Sequence, residues 1–189
     1  LFGGMGNPSA SISLQRKEPT PDLQASFQTS IGSWDQRRAV GDVGGPMTDE
    51  LSGRVVLALD SRAYYYGTAN DRNGMLYGVM KYQFNPSTSL SFGGSYERDN
   101  AVNNFSGLPW YDNGVTPQLS RSLSLTLPWA KDQNSFVESF AKLEHDFSQN
   151  WKLQMNATDL REAMPTSNNI SYDGPISSST NLLPGGFSS

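Results

Sequence analysis

Glu144 and Asp146 lie two residues apart. In an extended strand both carboxylates would project from one face, the arrangement a paired general acid and base would need. Lys142 falls on that same face, and a row of alternating charge is more simply a solvated surface. His145, the only histidine, sits between the two acids on the opposite face. No serine or cysteine nucleophile motif accompanies it. A histidine-based zinc site would need several such residues. The chain has no cysteine, which removes disulfides and thiolate metal sites. Gly3-Gly4-Met5-Gly6 is glycine-rich. It neither follows a strand nor opens a helix, so it is not a phosphate loop. The Asn-X-Ser/Thr triplets at Asn104, Asn156 and Asn169 are frequent by chance. The residues therefore point to no catalytic group and no metal site, and binding is the expected task.

The elements that position these residues have a period of two. In 151–158, Trp151, Leu153, Met155 and Ala157 alternate with Lys152, Gln154, Asn156 and Thr158. That is a strand with one apolar and one polar side. Ala141, Leu143, His145 and Phe147 alternate in the same way with Lys142, Glu144 and Asp146, so 136–158 reads as a hairpin. A second hairpin covers 75–98. Leu76, Gly78, Met80, Tyr82 and Phe84 alternate with Tyr77, Val79, Lys81 and Gln83, and Asn85-Pro86-Ser87-Thr88 turns the chain. Leu23, Ala25, Phe27, Thr29 and Ile31 share one face of a strand at 22–31. A return strand follows at 36–45, and another spans 53–65. About seven strands of roughly 9–11 residues result, the length a tilted membrane strand requires. Everything after Glu162 reads as loop.

Composition agrees with strands that cross a bilayer. Mean hydropathy is -0.51, the hydrophobic fraction is 36%, and no run approaches the ~20 apolar residues of a membrane helix. Alternating barrel strands keep average hydropathy low. A net charge of -4 argues against a nucleic-acid partner. Connections at 46–52, 85–89 and 148–150 are short, whereas 67–74 is intermediate and 100–133 is long. Short turns at one end and long loops at the other is the outer-membrane barrel pattern. Phe84, Phe147 and Trp151 sit beside the short turns. Trp34, Tyr64, Tyr65, Tyr66 and Tyr96 sit near the loop ends, so each interface would carry an aromatic band. The chain opens on Leu1 without a visible signal peptide, which suggests a fragment or a processed chain.

Particular residues carry a family resemblance. Leu1-Phe2-Gly3, then Gly6-Asn7-Pro8, Ile12, Lys17, Pro19 and Thr20 resemble the end of the plug domain in TonB-dependent siderophore receptors. Phe27–Gly45, Leu76-Tyr77-Gly78-Val79 with its Asn85-Pro86 turn, Gly107-Leu108-Pro109-Trp110-Tyr111, Ser120-Arg121-Ser122 and Leu143-Glu144-His145 continue the likeness to about residue 162. Phe2 stands where the family has tyrosine, and Ser9-Ala10 where it has two glycines. The resemblance implies an all-β fold of antiparallel up-and-down strands. They would form part of a large transmembrane β-barrel of roughly 22 strands around a plug. Residues 1–20 would be the C-terminal end of the plug and 21–189 the N-terminal portion of the barrel.

The implied function is uptake of a ferric siderophore, of hydroxamate, coprogen or pyoverdine type, at the outer membrane of a Gram-negative bacterium. Phe2, Trp110 and Tyr111 would offer ring surface to the ligand, and Arg98 and Arg121 would attract an anionic iron chelate. Iron would arrive inside the siderophore, so no cofactor is expected. The implied partners are the siderophore, the lipid bilayer, and the TonB-ExbB-ExbD complex through a region not included in the 189 residues. Two rival readings use the same strands. One is a soluble or surface β-sandwich that binds carbohydrate, which would need one face packed on a second sheet. The other is a glycosidase with two carboxylates flanking a cleft.

Overall fold

The computed structural model describes residues 15–102, 108–168 and 174–182. Seven strands follow one another: β1 (Gln24–Ile31), β2 (Arg37–Pro46), β3 (Leu51–Ala63), β4 (Asn70–Asn85), β5 (Thr88–Val102), β6 (Asp132–Ser148) and β7 (Trp151–Ser167). They form one sheet in chain order, each neighbour antiparallel. This is the expected up-and-down meander, and the described residues contain no helix.

Turn chemistry sets the short end. Met47 N and Thr48 N both donate to Leu51 O, closing 47–50. Asn85 Oδ1 accepts from Ser87 N at 2.9 Å, so an asparagine turn needs only Pro86 and Ser87 between β4 and β5. Residues 149–150 join β6 to β7. The opposite end carries 32–36, 64–69 and 108–131. The first of these is brief: Gly32 N donates to Gln36 O, and Trp34 and Asp35 take φ of 62° and 54° to reverse the chain.

Two expectations about extent need correction. The strands β3 to β7 are 13, 16, 15, 17 and 17 residues, longer than the 9–11 expected. The chain after Glu162 is not all loop either, since β7 runs through Ser167. Alternation fails there because Met164 and Pro165 together face the single residue Asn134 in a bulge. The bulge lets proline, which lacks an N–H, sit inside a strand without breaking a ladder bond.

The register sorts side chains onto two faces. Phe27, Val55, Leu57, Leu76, Phe92 and Leu153 fall on one face and are exposed. The buried cluster of Val56, Tyr77 and Val79, with Phe140 packed on it, lies on the other. The more apolar face is thus the uncovered one, the reverse of a water-soluble sheet. No second sheet packs against either face among the described residues. That overturns the sandwich reading, whose core needed one.

Candidate functional site

Residues 15–18 cross the inner face, and each of 16, 17 and 18 is held by a different set of strands. The Arg16 guanidinium lies 4.5 Å over the Phe140 ring and donates to both Glu138 oxygens, at 2.5 and 3.4 Å, and to Thr158 Oγ1 at 3.5 Å. Lys17 O accepts from the Tyr77 hydroxyl at 2.6 Å, while Lys17 Nζ reaches Asp42 Oδ2 at 2.6 Å. Glu18 O accepts from Arg54 at 3.0 Å, and its carboxylate takes Lys142 Nζ at 2.9 Å. A four-residue strap is therefore pinned to β2, β3, β4, β6 and β7 at once. Extended backbone in a sheet's interior must find partners for its polar groups, and these side chains supply them.

Asp42 is the hub of the pinning. Its Oδ1 accepts from Arg54 Nε at 2.8 Å, and its Oδ2 accepts from Arg54 Nη2 at 2.8 Å as well as from Lys17. A two-point guanidinium–carboxylate contact fixes orientation as well as charge. Above it, Tyr77 stacks on Phe140, with centroids 6.2 Å apart and planes at 14°. Gly93, on the same face between β4 and β6, has no side chain to keep these rings apart. A Cβ on Gly93 would run into the Gly78 carbonyl and Val79 Cα. Beside the strap a cavity of about 400 Å³ is lined by Arg16, Tyr77, Ser91, Phe140, Lys142 and Asn156, among others.

The Lys142 ammonium, by hydrogen bond, holds the Glu18 carboxyl below the usual carboxylate range, against a smaller opposing effect of burial. A depressed acid stabilises the folded arrangement above its ordinary value and loses that contribution as pH falls through the lower folded value. Backbone hydrogen exchange at 16–18, corrected for intrinsic rate, should therefore rise as pH drops below 4.5, the ordinary value for glutamate. Glu18→Gln should remove that part of the rise. Identical pH profiles for the two proteins would show that Glu18 does not tether the strap.

The long connection forms a separate surface at the loop end. Tyr111 N donates to Val115 O, and Asp112 N donates to Ile176 O. Ile176 N returns a bond to Trp110 O, and the Tyr111 hydroxyl donates to Asn181 Oδ1 at 3.0 Å. Trp110 and Tyr111 are thereby held on a pad made with 176–182, and Trp110 is 59% exposed. Arg121 sits elsewhere, in a turn where Ser122 O accepts from Gly67 N and Thr68 donates to Ser124 and Thr126. Arg98 faces Gly74 in register and shares the outward face with Tyr96 and Leu59, so it is not directed at the strapped face. Phe2 lies outside the described residues. The structure thus brings together Trp110 and Tyr111 but neither arginine with them.

His145 is where alternation puts it, on the outward face near a short turn. Its Nδ1 shares a 2.8 Å hydrogen bond with Thr88 Oγ1, and its ring meets Phe147 edge-on. The strap contacts were the part that sequence reasoning missed. One signal for them existed: Tyr77 and Val79 are apolar residues in phase with Lys81 and Gln83, an inward ring that needs something to cover it.

An open sheet with an apolar outward face and a polar inner face has the sidedness of a membrane barrel wall. No family model matches the chain. Similarity to individual proteins is clear. The ferric-pyoverdine M114 receptor PbuA of a Pseudomonas strain is 29% identical over 174 residues, covering 88% of this chain and 21% of its own length. The ferripyoverdine receptor of Pseudomonas aeruginosa is 31% identical over 163 residues, covering 82% and 20%. The crystal structure of the ferripyoverdine receptor of that outer membrane, bound to ferripyoverdine, superposes with a TM-score of 0.67 at 28% identity over 75% of this chain and 20% of that one.

In fold and sequence the chain is similar to one section of these outer-membrane receptors. It spans about one fifth of the length of these ferric-pyoverdine receptors of Pseudomonas. Those relatives are receptors and not enzymes, in keeping with the absence of any catalytic motif, and they leave no ground for the glycosidase or carbohydrate-binding readings.

Proposed function

We propose that the receptor containing this chain takes up a ferric siderophore of the pyoverdine class. The observation that carries this is the strap at 15–18, pinned to the polar inner face of a sheet whose outward face is apolar. In this reading residues 1–20 are the end of the plug and 21–189 the start of the barrel wall, and the strap is the seam between them. Iron is cargo inside its chelator, so the protein needs no ligand set for the metal. Energy for transport comes from the TonB-ExbB-ExbD complex, acting through a region that this chain does not include. Phe2, Trp110, Tyr111 and Arg121 are ligand contacts in this scheme. The fixed, half-exposed pad of Trp110 and Tyr111 favours the role, because a rigid aromatic surface loses little entropy when it binds.

The test is binding of ferric pyoverdine to the full-length receptor, read by equilibrium titration. Trp110→Ala with Tyr111→Ala should weaken binding by about tenfold, the loss expected for two stacked rings at ~0.5–1.5 kcal/mol each. Tyr111→Phe keeps the ring and removes only the hydroxyl that holds Asn181, so it should cost less. Full affinity in the double variant would remove the pad from the ligand site. No binding of any ferric pyoverdine by the wild type would overturn the substrate class.

A further inference from the structure

The arginines of the sheet and strap differ in the counter-charge they find. Those directed inward each have an acid: Arg16 with Glu138, Arg38 with Asp60, Arg54 with Asp42 and Arg62 with Asp71. On the outward face Arg161 on β7 has its own acid, Asp159 at 2.8 Å, and three others, Arg37 on β2, Arg72 on β4 and Arg98 on β5, are exposed. The register fixes this: Arg37 and Arg72 both face Ser61, and Arg98 faces Gly74, which in turn faces Leu59. Arg37 has one weak ion pair, with Asp35 at 3.8 Å, both side chains being well exposed. Among the described residues no carboxylate lies within ion-pair distance of Arg72 or Arg98. The three line a single shallow depression of about 700 Å³ together with Ile31, Leu59 and Gly74. Asp60, the carboxylate bordering it, belongs to the inward Arg38 pair at 3.8 Å.

Their height on the wall matters as much as their charge. On β4 the outward residues are apolar from Leu76 to Phe84, a stretch comparable to the ~9–11 residues that cross the hydrocarbon. The turn end of that stretch is ringed by Tyr82, Phe84, Phe147 and Trp151. Arg72 and Arg98 come just above its other end, at the depth of the headgroups facing outside. Cations that face a bilayer snorkel to that level and seek an anion there. Guanidinium groups match phosphate oxygens with two-point contacts.

We propose that Arg37, Arg72 and Arg98 form a binding site for the phosphorylated headgroup of an outer-leaflet lipid, with the acyl chains lying against Leu59, Leu76 and Tyr96. The proposal rests on the outward face being in lipid and on nothing about the siderophore. The depression supplies a polar rim and an apolar floor, which suits an amphiphile better than a free anion. The inward arginines need no such ligand, because the protein itself supplies their counter-charge.

The experiment uses full-length receptor in detergent, incubated with purified lipid A carrying its phosphates, with dephosphorylated lipid A, or with inorganic phosphate, and read by native mass spectrometry. Wild type should retain phosphorylated lipid A, and R37Q/R72Q/R98Q should retain about tenfold less, as expected when phosphate contacts are lost. Arg37→Lys, Arg72→Lys and Arg98→Lys together should restore part of the retention by keeping the charge. Ferric-pyoverdine binding, measured on the same samples, shows that the variants are folded and should be unchanged. Equal retention of both lipid forms, or of lipid by wild type and glutamine variant, would overturn the site. Binding of inorganic phosphate with no preference for the lipid would overturn the lipid assignment. Loss of siderophore binding with lipid retention intact would assign the arginines to the ligand path instead. Failure of the wild type to bind siderophore would leave the lipid comparison standing on its own.

Discussion

Asp42→Ala should release the strap at 15–18 and speed trypsin cleavage beside Arg16 and Lys17 in the full-length receptor by about a hundredfold. The reasoning starts from burial. The Asp42 side chain is 8% exposed and that of Arg54 is 20% exposed. Removing one partner of a buried pair leaves the other charge uncompensated, which costs ~3–5 kcal/mol. Part of that cost falls on the sheet between β2 and β3. Part falls on the strap, because Lys17 loses its carboxylate and Arg54, no longer oriented, loosens its bond to Glu18 O. A local opening made easier by ~3 kcal/mol is about a hundredfold more populated. Glu138→Gln gives the contrast. Arg16 and Glu138 have side chains 45% and 25% exposed, and so wet a pair is worth only ~0–1 kcal/mol. Its cleavage rate should rise several-fold at most. Asp42→Leu combined with Arg54→Met should recover most of the protection lost in Asp42→Ala, because an apolar replacement leaves no orphaned charge. Cleavage of Asp42→Ala at the wild-type rate would mean that Asp42 does not hold the strap.

The sheet was legible in the sequence because alternation is a local property. Every strand whose two faces differ in polarity, from Leu76–Phe84 to Trp151–Thr158, announces itself without reference to its neighbours. The order of the strands followed from turns too short for any crossover, except at the long connection between β5 and β6. Strand ends were less legible, since above the bilayer both faces meet water and the alternation fades. β7 shows this at Asp159, Arg161 and the Met164-Pro165 bulge. The strap was not legible, because nothing in Arg16-Lys17-Glu18 says which strands it will meet. Its partners Asp42, Arg54, Tyr77 and Glu138 are brought together only by register, across up to 122 residues of chain. Arg98 shows the opposite limit. Its place beside a long loop suggested a ligand contact, yet its phase, shared with Phe92 and Tyr96, already put it outside the wall.

Leu57→Arg should cost the receptor ~2–4 kcal/mol of stability in a bilayer, the depth-dependent penalty for a lipid-facing arginine near the midplane. Leu57 lies in the middle of β3, on the outward face between the aromatic end and the arginine rim, and is 45% exposed. In water such a residue is an ordinary surface leucine, and its replacement by arginine would lie within about ±0.5 kcal/mol or improve solubility. The two surroundings therefore predict opposite outcomes from one substitution. Reversible folding of the full-length receptor into phosphatidylcholine vesicles, followed by the heat-dependent gel shift of the folded barrel, measures the difference. Ala58→Arg, one residue along and facing inward, should be tolerated better wherever the inner face has water or the carboxylate of Asp60 to receive the charge. A Leu57→Arg receptor as stable in vesicles as the wild type would contradict a lipid-facing outward surface, and with it the position assigned to Arg37, Arg72 and Arg98. A large penalty at Leu57 and a small one at Ala58 would establish the sidedness of the wall directly, because only the direction of the side chain separates them.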